Sequence, residues 1–451
     1  MVINVRGRLA DRKEVDMREK QLILYKNVPH EDILVDMVYL YEKYILSKTK
    51  QEPTEVDQNL LYDVVGRILD LSGNHGFFGN LWHCYLTYIL TGHENVYSIP
   101  CEINGETAGS MNEAALQDFN IFKEFFDYDL EAFFEKLDAS TFVFILDFEG
   151  NGIKSKIFNA RIRDYICHTA KKMSQAMDGE DLKSIATRFY QKHGVGKLGL
   201  HKAFRIAPKE DGIHAKIEPI LNIAHVYLDD LVGYEIAKQK LVENTEAFVE
   251  GRRANNCLLF GDAGTGKSSS IKGILNEYYD DGLRIIEVYK HQFGLLHDVI
   301  EQIKDRHYKF IIYMDDLSFE EFEIEYKYLK AIIEGGLESK PNNVLIYATS
   351  NRRHLIKETF EDKEGRRDAL HASDTVQEKL SLVNRFGVTI FFSSPDKKEF
   401  QNIVKVLAER HNITMPEEEL LLEANKWELS HGGLSGRTAQ QFIDHLLGMK
   451  E

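Results

Sequence analysis

The sequence predicts an α/β fold built on a five-stranded parallel sheet, preceded by a mainly helical region and closed by a small helical one. Three observations lead there. In the second half, short apolar runs at 257–260, 284–288, 310–314, 344–348 and 388–392 alternate with helical patterns. Continuous apolar strands separated by helices are what a parallel sheet covered on both faces requires. In the first half, and again after Pro395, apolar residues recur at spacings of three and four, as packed helices demand. Finally, the first apolar run leads directly into Gly261-Asp262-Ala263-Gly264-Thr265-Gly266-Lys267-Ser268, a glycine-rich loop between a strand and a helix.

Composition frames these elements. The chain has 451 residues, enough for two or three domains, with 43% hydrophobic and 28% charged residues, as in ordinary globular proteins. Its formal net charge of −16 argues against coating nucleic acid through bulk electrostatics, although Arg352-Arg353 and Arg366-Arg367 supply local positive charge. No apolar run is long enough to span a bilayer, and the first residues lack an apolar signal core. Cys84, Cys101, Cys167 and Cys257 are scattered without a C-x-x-C pair, which fits reduced thiols in a cytoplasmic protein.

The helical expectations run in order. Segments 32–47 and 56–71 have amphipathic spacing, the second stopping at Ser72-Gly73-Asn74. Segment 77–90 is apolar on most sides. Segment 111–137 holds one or two helices whose Phe119, Phe122, Phe126 and Phe133 form an aromatic stripe, read as core. The run 142–148 (FVFILDF) reads as a buried strand. Around 197–219 the text becomes punctuated by Gly, Lys and Pro, which places the domain boundaries at 1–216 (helical), 217–394 (α/β) and 395–451 (helical).

The glycine-rich loop is the G-x-x-x-x-G-K-[ST] phosphate loop of a P-loop NTPase. Gly261, Gly264 and Gly266 let the backbone turn its N–H groups inward around a β-phosphate, and the start of the next helix, with Ser269, adds its dipole. Lys267 reaches the β/γ-phosphates, and the Ser268 hydroxyl completes the shell of a Mg²⁺ ion. The expected ligands are therefore ATP and Mg²⁺. Strand 310–314 ends in Asp315-Asp316: the first acid would hold the metal and the second would orient or activate water. Strand 344–348 ends in Thr349-Ser350-Asn351. For Ser350 a turn role and a phosphate role weigh equally, and Asn351 is favoured as the functional amide.

Taken as a set, these motifs resemble the AAA+ ATPases over 228–447, and the likeness is greatest to a bacterial branch with a single ATPase domain and an undefined role. The resemblance implies that Asn351 is sensor 1 and that Arg385, in the segment LSLVNRFG, is an arginine finger. It further implies that Arg437, in GGLSGR, is sensor 2, and that Val232-Gly233 is the turn that packs on adenine. It also implies a homo-oligomer that hydrolyses ATP to remodel or load a partner, most plainly a protein recruited by the helical region. Two departures stand out. The usual second acid is Glu, whereas Asp316 is a methylene shorter. Only 290–309 separates the second and third strands, room for one helix where threading members have two and a pore loop; Phe293-Gly294 reads as a turn leading into that helix. A low-turnover ATP-gated switch is the rival reading, and a P-loop kinase the third.

Overall fold

The computed structural model describes residues 18–47, 52–106, 108–150, 155–212, 214–319, 325–334, 341–351, 355 and 382–449. The chain divides after His201 into two units, taken here in turn.

The first unit is helical. Its longest helices are Glu31–Tyr41, Glu55–His75, Leu81–Gly92, Met111–Phe126, Ala160–Ser174 and Gly179–His193. The aromatic stripe is core: Phe119, Phe122 and Phe133 are fully buried and Phe126 almost so. The helix beginning at Glu55, capped by the Thr54 side chain, does not stop at Ser72-Gly73-Asn74 but runs to His75. Ser72 is buried against the core and a helical Gly costs only about 1 kcal/mol, so packing carries the helix one turn further. It ends where Gly76 takes a left-handed φ of 77° and returns its N–H to Ser72 O.

The run 142–148 is not a strand. Residues Ser140–Asp147 form a 3₁₀ helix, with Phe142 and Ile145 buried while Val143 and Phe144 face outward. A spacing of three matches the three-residue turn, and an apolar run this short does not reveal its period.

His75 makes this unit acid-sensitive. Its Nδ1 donates to Leu71 O at 2.8 Å, and its ring lies among Phe77, Tyr88 and Phe158. Burial, opposed by that bond, pushes the imidazole down to about 4. Below the ordinary value of 6.5 the unfolded chain takes up a proton that the folded chain refuses. The stability held above pH 6.5 therefore drains as pH falls toward 4, by about 2 kcal/mol between pH 7.5 and 5. Denaturant titrations of the full chain at these two pH values should show that loss, and His75→Phe should remove most of it.

The second unit is organised by a seven-stranded sheet. Its strands are β1 (Ala203–Pro208), β2 (Ala215–Pro219), β3 (Cys257–Gly261), β4 (Leu283–Glu287), β5 (Lys309–Met314), β6 (Val344–Ser350) and β7 (Val388–Phe392), in the order β2-β1-β4-β5-β6-β3-β7. The five expected strands are all present, mutually parallel, and within two residues of their expected bounds. The additions are β1, parallel to β4, and β2, which returns antiparallel on its edge. The boundary expected at 216/217 therefore falls inside β2, and the structural division comes after His201. These two strands are short, half-exposed and end in Pro208 and Pro219, so they offer no apolar run to read.

Helix Lys267–Tyr278 follows β3, and Glu235–Val249 packs beside it on one face of the sheet. Between β4 and β5 the chain makes a 3₁₀ turn, Lys290–Leu295, and one helix, Leu296–Ile303, as the short connection required. Phe293 is buried there, so it is a core residue of the turn and not an exposed loop aromatic. Helices Lys397–Arg410, Glu417–Ser430 and Gly436–Gly448 close the unit around their own core of Phe400, Val404, Ala424, Phe442 and Ile443. Among the described residues no helix is long and apolar enough to cross a membrane.

Candidate functional site

A cleft of about 670 Å³ opens at the carboxyl ends of β3, β5 and β6. That is where a parallel sheet offers ligands its loops and helix N-termini. Its floor is the phosphate loop: Ala263, Gly264, Thr265, Gly266, Lys267, Ser268 and Ser269 all line it. Gly266 caps the following helix from a left-handed conformation with φ 88°. Gly261, with φ 139°, sits beneath the loop, where a Cβ would lie 2.0 Å from Phe392 O, so the β3–β7 contact excludes any side chain. Asp262 is spent on β7's exit: its Oδ2 accepts from Ser394 N at 3.0 Å and from Ser394 Oγ at 2.8 Å, and these bonds hold the carboxyl low.

Lys267 is 6% exposed and folded onto its own loop, with Nζ donating to Gly261 O at 2.9 Å and to Asp262 O at 2.6 Å. Burial lowers its pKa, while Asp262, Asp316 and Asp315 pull the other way. The ammonium thus stands in a field of acids.

The two acids behave differently. Asp315 Oδ1 accepts from Ser268 Oγ at 2.7 Å, Tyr313 OH at 2.6 Å and Thr349 Oγ1 at 2.5 Å. Burial raises its carboxyl, but the hydrogen bonds from Thr349, Tyr313 and Ser268 outweigh it and the net pKa is lowered. Burial and the adjacent Asp315 push the Tyr313 phenol well up, so it acts as a donor. A charged carboxylate beside a serine hydroxyl is a hard-oxygen donor set, and it fits a Mg²⁺ ion. Asp316 has the left-handed φ of 49°, uncommon for a non-glycine. Its N–H donates to Thr349 Oγ1 at 2.9 Å, and its Oδ1 accepts from Asn351 Nδ2 at 2.8 Å. The acid pair and the amide expected from two separate motifs therefore meet in one hydrogen-bonded chain, which Ser268 of the phosphate loop joins through Asp315.

Thr349 and Tyr313 went unread in the sequence, although strand alternation carried the signal. Thr349 stands two residues before Asn351, and Tyr313 two before Asp315, so each shares its partner's side of the strand. Ser350 points elsewhere: it is buried and does not line the cleft.

The helical subdomain supplies the roof. Ser435 caps helix Gly436–Gly448, and Arg437 N donates to Gly264 O at 3.1 Å. A Cβ on Gly264 would come within 3.0 Å of Ser435 Oγ and 3.1 Å of Arg437 Cβ, so the loop glycine permits this close approach. Arg437, Gln440 and Gln441 line the cleft, with Ile403 and Leu407. On the other side Val226, Leu231, Val232 and Tyr234 form an apolar wall, while Gly233, with φ 85°, lines an adjoining cavity instead. Arg385 is half-buried at a turn before β7, its N–H bonded to Leu382 O, and does not line the cleft. The expected helix over 375–384 lies outside the described residues except for its last turn, as do Arg352-Arg353 and Arg366-Arg367.

Residues 200–450 match the model of the family described as "Protein of unknown function (DUF815)". The chain belongs to that family. Its α/β unit sends the phosphate loop out from the carboxyl end of β3, with β6 and β7 parallel on either side of that strand. No curated protein matches. Solved structures similar to this DUF815 chain include the RuvB Holliday junction branch migration motor of Thermotoga maritima, at 14% identity over 49% of this chain and 72% of that one, with a TM-score of 0.30. A single-substitution variant of the same protein aligns at 14% identity over the same shares, with a TM-score of 0.32.

Proposed function

We propose that this DUF815 protein is a Mg²⁺-dependent ATPase that couples hydrolysis to the remodelling or loading of a partner macromolecule. The observation that carries the reading is the continuous chain Ser268–Asp315–Thr349–Asp316–Asn351 beside Lys267, roofed by Arg437. The loop N–H groups and Lys267 would hold the β- and γ-phosphates, and the apolar wall with Val232 would take the base. Ser268 and Asp315 would hold Mg²⁺, which would neutralise charge on the phosphates. Asp316 would orient the attacking water, Asn351 would fix Asp316 and sense the γ-phosphate, and Arg437 would reach the phosphates from the roof. Arg385 would act on a neighbouring copy in a homo-oligomer, with the helical unit recruiting the partner, a protein in preference to nucleic acid. The four cysteines are free and buried, which suits a reducing cytoplasm.

Release of free phosphate by the purified chain, dependent on Mg²⁺ and needing no acceptor, is the test; phosphate transfer only to an added acceptor would point to a kinase instead. The ATP-gated switch has an observation of its own, the Asp316 carboxylate already held by Asn351. Asp316→Asn separates the two readings. For an ATPase the variant should bind ATP as the wild type does while turnover falls about 10²-fold or more, the scale of a lost general base. Equal turnover in both proteins would move the base role elsewhere and favour the switch. The single helix between β4 and β5 and the buried Phe293 weigh against processive threading of a substrate.

A further inference from the structure

Asp315 Oδ1 is surrounded by three hydroxyls, yet only one of them, Ser268, belongs to the phosphate loop. The other two come from the sheet. Tyr313 is 5% exposed on β5 and Thr349 is 1% exposed on β6, and both are held by the strand pairing that joins Tyr313 to Tyr347 and Met314 to Ala348. A free aspartate turns about two bonds. Here the two sheet hydroxyls fix one carboxylate oxygen and so fix the plane of the group before any ligand arrives. Thr349 also accepts the Asp316 N–H, which ties the second acid's left-handed backbone to the first acid's carboxylate.

We infer that Tyr313 and Thr349 are positioning residues, which pre-set Asp315 for the divalent cation and, through Thr349, couple its placement to Asp316. The inference rests on the metal-dependent reading of the site given above. Neither hydroxyl needs to touch cation or nucleotide. Their effect is on the concentration of metal that the site requires, because a carboxylate that must first be ordered binds more weakly.

The test is a titration of Mg²⁺, repeated with Mn²⁺ followed by electron paramagnetic resonance, against a fluorescent ATP analogue bound to the full chain. Tyr313→Phe keeps the ring and removes the hydroxyl. It should raise the half-saturating metal concentration about tenfold, the scale of one hydrogen bond to a charged acceptor. Affinity for the analogue without metal should stay as in the wild type. Thr349→Val should shift the metal dependence further, and Thr349→Ser, which keeps the hydroxyl, should restore it. An unchanged metal dependence in Tyr313→Phe overturns the inference. So does an equal loss of metal-free and metal-bound affinity, which marks a merely structural role. If the wild type itself binds the analogue without any metal dependence, the metal-site reading falls first and this inference with it, so the two failures are distinct.

Discussion

Lys267→Ala should lower ATP affinity by at least about 10²-fold, or about 2.7 kcal/mol of binding free energy. The Lys267 ammonium caps the carbonyls of Gly261 and Asp262, although it is 94% covered and its pKa is lowered by burial. A desolvated cation hydrogen-bonded to neutral carbonyls is poised for a stronger acceptor, and a triphosphate supplies one. The energetics of the exchange favour the ligand, because an ammonium–phosphate ion pair replaces bonds from the ammonium to two uncharged carbonyls and no new side chain has to be ordered. Removing the cation also leaves acidic Asp315 and Asp316 facing the incoming phosphates uncompensated, which adds repulsion to lost attraction. The loop should keep its shape, since Thr265 Oγ1 still donates to Asp262 O at 2.8 Å and Arg437 N still holds Gly264 O. Calorimetric titration checks the affinity and a thermal melt checks the fold. Unchanged affinity would remove the phosphate-loop assignment altogether.

How much of this was legible before the fold was known follows from the kind of signal each residue leaves. A buried parallel strand must be apolar on both faces, so β3, β5 and β6 announce themselves as unbroken runs. A short half-exposed strand leaves only alternation over five or six residues, and β1 and β2 passed unread beneath Arg205, Lys216 and their closing prolines; β7, half-exposed as well, stayed legible because all its residues but Thr389 are apolar. The phosphate loop is written in backbone requirements, glycines at fixed offsets, and needs no tertiary context to be recognised. Thr349 and Tyr313 are different. Their hydroxyls matter because β6 lies beside β5 and because each points to the same side as an acid or amide two positions away. A sequence lists neighbours along a strand but not which strand lies alongside, so Asn351 was visible as an amide at a strand end while its hydrogen bond to Asp316 was not. The 142–148 run shows the converse limit: composition promised burial, and burial came at a period of three.

Hydrolysis should depend on contact between copies, with Arg385→Ala reducing turnover ~10³-fold or more while ATP binding persists. The geometry of a single chain supports this. β3 and β7 are parallel and in register, with Cys257 opposite Val388 and Gly261 opposite Phe392. The phosphate loop leaves from the carboxyl end of β3, whereas Arg385 precedes the amino end of β7. Five residues at about 3.3 Å each put the two ends of that strand pair more than about 13 Å apart, before the three residues back to Arg385 are counted. An arginine side chain attached there starts from the opposite end of the strand pair from its own phosphate loop, and Arg385 is not among the residues lining its own cleft. A neighbouring copy can present the same arginine without that obstacle, and a guanidinium placed so neutralises charge developing on the transferring phosphoryl group. Mixing two defective proteins decides the matter. Arg385→Ala retains a sound phosphate loop, and Lys267→Ala retains a sound arginine. Each alone should be nearly inactive, and the mixture should recover part of the wild-type turnover at interfaces that join one sound loop to one sound arginine. Normal turnover by Arg385→Ala, or wild-type activity per subunit that holds constant on dilution to monomer, would assign Arg385 to the surface of its own subunit and leave hydrolysis to a single chain.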